Sequence, residues 1–259
     1  MKRLAWILAS GACSVFALAH ETEEAVSLWA EPTTYVRISA ALILALFIGV
    51  LLKRDFPQHH KKMLFAAFAL LIIVPTLFLG FSTIRENITS VTKGPVHWHA
   101  DVIVEACGER LNLADPQFPR NKVGTPLLHE HNENRIHVEG TVQELDEVTL
   151  HHYFEVIGGT LEEGQLVYPT NEGLRAFSDG DACDEGTGTL KVYVNGKEQE
   201  TYEEYVPYPD AYVPPGDCVV VRFSANHGAV PLCASWEAKG WSYENYAREP
   251  RQIGEHTWQ

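Results

Sequence analysis

The chain has 259 residues and a formal net charge of −14, from 34 acidic against 20 basic side chains. That length accommodates one or two domains, and the acidic balance argues against a nucleic-acid partner, whose phosphates call for a basic surface. The overall apolar fraction is ordinary, yet nearly all the continuous apolar sequence lies before residue 82.

Residues 1–19 read as a secretory signal: Lys2 and Arg3, an apolar run from Leu4 to Leu18, and Ala17-Leu18-Ala19 as an A-x-A cleavage site. A retained N-terminal anchor is the alternative. After cleavage the chain would begin at His20, whose amine and imidazole can together bind copper, and residues 20–33 would form a short extracytoplasmic segment.

Residues 34–81 predict a two-helix transmembrane hairpin. Thr34 to Leu52 and Met63 to Phe81 are each long enough to cross a hydrocarbon layer of about 30 Å. The loop between them contains KRDFPQHHKK, whose Lys and Arg residues favour the cytoplasmic side. This places the hairpin in the cytoplasmic or plasma membrane and everything after Phe81 on the extracytoplasmic side, such as the periplasm. Neither span has a central Asp, Glu or His, so the hairpin reads as an anchor in the lipid bilayer that can also dock another membrane protein.

Residues 82–93 form a polar link, and residues 94–259 form the soluble domain. Its cysteines are Cys107, Cys183, Cys218 and Cys233. An even number in an oxidising compartment predicts two disulfides, with three pairings open; thiolate metal ligands are the rival reading. No C-x-x-C motif occurs, which speaks against a thioredoxin site or a zinc ribbon.

Five histidines then fall between positions 97 and 137: His97 and His99 in HWHAD, His129 and His131 in HEHN, and His137 in RIHVEG. The segment VHWHADVIVEAC alternates as a half-buried strand does. Val96, Trp98, Ala100, Val102 and Val104 take one face and His97, His99, Asp101 and Glu105 the other, with Ile103 the apolar exception. RIHVEG repeats the pattern, with Arg135, His137 and Glu139 opposite Ile136 and Val138. Were the two strands neighbours, His137 would approach His97 and His99, a carboxylate could orient its ring, and His129 and His131 would arrive from the preceding loop.

A three- or four-histidine centre suits zinc, copper, iron or nickel over calcium or magnesium, and the extracytoplasmic setting favours copper or zinc. Structural or surface histidines are the plainer alternative. A blue-copper site built from Cys218 and His227 would lack an axial methionine, since the only methionines are Met1 and Met63. The paired H-x-H motifs resemble the opening of the cupin metal motif, but His99 to Glu105 and His131 to Glu139 depart from its histidine-to-glutamate gap. The late PPGD, Pro214 to Asp217, resembles only a turn of that family's second motif, so no ligand is carried over.

Farther on, Thr149 predicts a cap for a short helix from Leu150 that stops before Gly158 and Gly159, with His151 and His152 at its surface. TLKVYVNGKEQ predicts a hairpin turning at Asn195-Gly196, and PPGDCVVVRF another strand. YEEYVPYPDAY reads as a loop over the sheet, and SWEAKGWSYENY as a segment that closes the core or touches lipid headgroups. The expected soluble fold is mainly antiparallel β or α+β, either sandwich-like or β-grasp-like.

The chain contains no HExxH helix, G-x-S-x-G elbow, phosphate-binding glycine loop or nicotinamide fingerprint. Asp101, Glu105 or Glu139 beside a metal-bound water would be the only base available. Three readings follow: a membrane-anchored extracytoplasmic protein that binds a copper or zinc ion, for metal handling or as an accessory subunit of a membrane complex; a non-enzymatic interaction domain with structural histidines; and a metal-dependent enzyme of unassigned substrate.

Overall fold

The computed structural model describes residues 32–53, 55–183, 186–207 and 216–244. The expected signal sequence, His20, most of the 20–33 segment and parts of the two aromatic stretches lie outside them. The chain divides into two compact units, residues 1–85 and 86–259.

The first unit is built on α1 (Pro32–Leu52) and α2 (Gln58–Thr89). At about 1.5 Å per residue, the 21 residues of α1 extend roughly 31 Å. Both helices are long and apolar enough to cross a membrane. Leu44, Phe65 and Leu77 are among their exposed side chains, and no residue of α2 is buried. A helix apolar on every side is not the amphipathic element of a soluble core. Tyr35, early in α1, meets Phe78 of α2 at a ring-centroid distance of 4.6 Å, so the helices run antiparallel. Pro75 lies inside α2. Just after it, Thr76 donates its hydroxyl to the Ile72 carbonyl at 2.7 Å. Residues 82–89, expected as a polar link, continue the helix.

The second unit centres on a mixed sheet. Its strands are β1 (Pro95–Ala106), β2 (Glu109–Leu111), β3 (Val123–Gly124), β4 (Leu128–Glu130), β5 (Arg135–Thr141), β11 (Thr189–Val194), β12 (Lys197–Gln199) and β13 (Asp217–Ser224). They lie in the order β12-β11-β13-β1-β5-β4-β3, with β2 also paired to β1. All these pairings are antiparallel except β1 with β13, which is parallel. The sheet is therefore mixed, with a single parallel pairing among mainly antiparallel ones. β6 (Thr160–Glu162), β7 (Gln165–Thr170) and β8 (Gly173–Ser178) form a separate three-stranded sheet, and β9 (Ala182–Cys183) pairs with β10 (Gly186–Thr187).

Alternation in β1 holds as read. Trp98, Ala100, Val102, Val104 and Ala106 enter one core with Ile136 and Val138 of β5 and Val219, Val221 and Phe223 of β13. The helix α3 (Leu150–Val156) adds Leu150, Tyr153 and Phe154 to that core. Thr149 caps it, accepting the His152 N–H at 3.2 Å. Asn195 and Gly196, at φ 53° and 78°, turn β11 into β12, as a two-residue hairpin with both φ positive requires.

Ile103, the exception in the pattern, has its own partners on the other face. It joins Tyr193, Cys218, Val220, Cys233 and Trp236 in a second core, with Trp236 supplied by α4 (Ala234–Ala238). The disulfides are Cys107–Cys183 and Cys218–Cys233. All four cysteines are thereby used, which overturns both thiolate ligation and a copper site on Cys218. Along β1, this second face carries in turn His97, His99, Asp101, Ile103 and Glu105.

Candidate metal centre

The register brings the histidines together. His99 of β1 stands opposite His137 of β5, and His137 in turn stands opposite His129 of β4, so three imidazoles form a row across three strands. Directly opposed side chains on adjacent strands have Cβ atoms about 4.5–5.5 Å apart. His97, two residues before His99, lies opposite Glu139. His129 belongs to a paired strand where a loop was expected, and His131 follows just past its end.

The ring nitrogens fall into two triads, His97, His99 and His137, and His129, His131 and His137; within each, the ligand atoms lie within 4.8 Å of one another. Zinc–nitrogen bonds of 2.0–2.1 Å in a tetrahedron set nitrogens about 3.4 Å apart, a closure that imidazole rotation can provide. The rings already touch: His99 meets His137 edge-on at 4.6 Å, and His129 stacks on His137 at 5.4 Å.

Neighbouring groups orient several of these rings. His131 Nδ1 lies 2.8 Å from the Asn121 carbonyl. Because a carbonyl only accepts, that nitrogen carries the proton and Nε2 keeps its lone pair for a ligand. His137 Nε2 is 2.6 Å from Glu133 Oε1, and His97 Nε2 is 3.0 Å from Glu139 Oε1. A carboxylate or carbonyl behind a ligating imidazole fixes its orientation and raises its basicity.

Burial leaves other nitrogens unserved. His129 is 0 % exposed, and neither of its ring nitrogens has a hydrogen-bond partner, nor does His137 Nδ1. Buried polar atoms without partners are rare and costly, on the order of 1–3 kcal/mol each, and a bound cation would satisfy one on each ring. β3 runs beside the backbone of His129. Gly124 lies opposite it at φ +110°, where an added Cβ would sit 2.5 Å from the Leu128 carbonyl oxygen and 3.0 Å from His129 Cα.

The electrostatics favour neutral imidazoles at two positions. Burial, then the neighbouring His137 and His97, lowers the pKa of His99 to about 4. Burial and Lys122 lower that of His129 to about 4. Both keep a free lone pair well below neutral pH. Burial raises Glu133, but the hydrogen bond and charge of His137 outweigh it and hold this carboxyl below its usual range.

All five predicted histidines thus meet on one face, beside Glu139. The other carboxylates considered as bases do not reach them. Asp101 is paired with Arg135 at 2.8 Å and accepts from Ser235, and Glu105 is paired with Arg222 at 2.7 Å. His151 contacts the Leu161 carbonyl, His152 contacts Glu155 and His227 contacts Thr189, so none joins the cluster. Glu133 and the Asn121 carbonyl were not anticipated. The available signal was the N-E-N triplet: Asn132 and Asn134 at φ 66° and 57° form the turn that folds Glu133 back onto His137. No family model, curated protein or solved structure matches the chain.

Proposed function

We propose that this chain is a membrane-anchored, extracytoplasmic metal-binding protein that holds copper or zinc and serves in metal handling, either alone or as an accessory subunit of a membrane complex. One observation carries the reading: five histidines from three separate segments converge on one sheet face, with buried ring nitrogens that no protein group satisfies. An all-imidazole set with one carboxylate nearby has the chemistry of a zinc or copper site.

The setting supports it. The helix pair has the length and composition of a membrane hairpin, the basic residues around its loop favour the cytoplasm, and the two disulfides suit an oxidising compartment. With both helices spanning, the sheet domain would lie outside the cytoplasm. The strand order favours the β-grasp-like over the sandwich-like alternative: the first and last long strands lie parallel at the sheet centre, each flanked by an antiparallel partner, and α3 falls between the two flanking strands in the sequence.

The test is the metal content of the full chain, purified in detergent without a histidine tag and measured by elemental mass spectrometry. Stoichiometric copper or zinc, lost when His99 and His137 are both replaced by Ala, is the expected result. A folded, disulfide-bonded chain that stays metal-free after supplementation would move the histidines to a structural role.

A further inference from the structure

Five imidazoles exceed what one tetrahedral ion takes, since such a site is complete with four ligands. The nitrogens fall into two triads that share His137. Between the triads stands Glu139, whose two oxygens face different ways. Oε1 lies 3.0 Å from His97 Nε2 and 3.8 Å from His137 Nδ1, while Oε2 lies 3.7 Å from His129 Nε2.

We infer that the face holds two metal ions, bridged by the Glu139 carboxylate, an inference that rests on the metal-binding reading above. The outer ion takes His97, His99 and Glu139 Oε1. The inner ion takes His129, His131, His137 and Glu139 Oε2. This uses every histidine once and gives both carboxylate oxygens a cation. It also gives one of the buried nitrogens of His129 a cation, which a single ion in the outer triad would not do. Two-metal sites place their ions about 3.5–4 Å apart, a spacing one carboxylate spans. Two dications so close need anionic neighbours, and Glu139 is joined by Glu133 behind His137.

The two positions differ in access. The His97 side chain is 61 % exposed, whereas that of His129 is fully buried. The outer ion has three protein donors and a position open to water, so it exchanges readily. The inner ion has four protein donors, among them the fully buried His129, and is retained. Such a pair takes up an ion at the surface and holds another beneath it, with Glu139 coupling the two.

The experiment uses the full chain in detergent, tag-free and stripped with chelator, titrated with zinc alone and followed by calorimetry and native mass spectrometry. Two zinc ions per chain are expected, one of them removed rapidly by a competing chelator and the other slowly. Glu139→Gln and the pair His97→Ala with His99→Ala should each reduce the count from two to one. Because replacing buried His129 can unfold the domain, a second measurement uses the unaltered chain. One equivalent of copper(II) should give the paramagnetic resonance of an isolated ion, and two equivalents a dipole-coupled spectrum with a half-field transition. A single zinc at saturation, or two uncoupled coppers, overturns the bridged pair and leaves metal binding standing. No bound metal at all overturns both.

Discussion

His99 and His137 face each other across β1 and β5, their rings edge-to-face with centroids 4.6 Å apart. Burial first, and for His99 the neighbouring His137, disfavours protonation, and the cost falls on stability. In the unfolded chain both His99 and His129 titrate near 6.5; in the folded protein each does so at about 4. Between those values the unfolded chain binds protons that the folded chain refuses, so stability is full above pH 6.5 and is lost as the pH falls toward 4. For the fully buried His129 the loss is at most about 3 kcal/mol. Denaturant midpoints of the metal-stripped protein should fall steadily from pH 7 to pH 5. A flat profile would mean that neither ring is held neutral by the fold.

Farther along the same face, Asp101 and Arg135 form a part-buried ion pair that Ser235 joins. Removing one partner leaves the other charge poorly solvated, at a cost of about 3 kcal/mol. Asp101→Ala should therefore lower the unfolding free energy by roughly that amount, and Asp101→Asn by less. Neither substitution should change the number of metal ions bound. A drop in metal count from a variant that remains folded would return Asp101 to the centre.

The histidine face was legible because strand alternation is a local property: His97, His99 and Asp101 share a parity that puts them opposite Trp98 and Ala100, and His137 shares one with Glu139. The hairpin at Asn195-Gly196 and the cap at Thr149 were legible for the same reason, each being a short-range requirement of backbone geometry. What escaped depends on distant partners. CVVV, Cys218 to Val221, is a short apolar run compatible with several environments, and nothing local marks it as the parallel neighbour of β1. Ile103 made sense only once Trp236 and the Cys218–Cys233 bridge covered it. The β6–β8 sheet was not anticipated: its strands are short and Pro169 stands inside β7, where a proline argues against a strand, and Asp101 looked available as a base because its register partner Arg135 is 34 positions away.

Gly124 packs closely against the backbone that carries His129 of the inner triad. With φ +110° and the Leu128 carbonyl oxygen 2.5 Å from an added Cβ, Gly124→Ala must displace β3 from β4 or distort the backbone. Left-handed strain alone costs on the order of 1–3 kcal/mol, and the steric contact adds to it. The variant should lose about 2 kcal/mol or more of stability and should release bound zinc faster, since the strand that carries His129 is pushed out of place. Calorimetry of unfolding and stopped-flow chelation measure the two effects. A normal zinc off-rate in a destabilised but folded variant would show that the packing of β3 does not govern release of the ion.

The two disulfides constrain unequal lengths of chain. Cys107–Cys183 spans a separation of 76 residues and Cys218–Cys233 one of 15. In the chain-entropy account the longer closure restricts the unfolded ensemble more, by about 4 kcal/mol against about 3. Cys107→Ser with Cys183→Ser should thus be the more destabilising pair, as read from denaturant midpoints under oxidising conditions. The shorter bridge has a compensating local role, because Cys218 and Cys233 are wholly buried beside Ile103 and Trp236. If its removal proves the costlier, packing of the second core outweighs loop closure. In neither case should metal stoichiometry change in the fraction that remains folded, since no cysteine belongs to either triad.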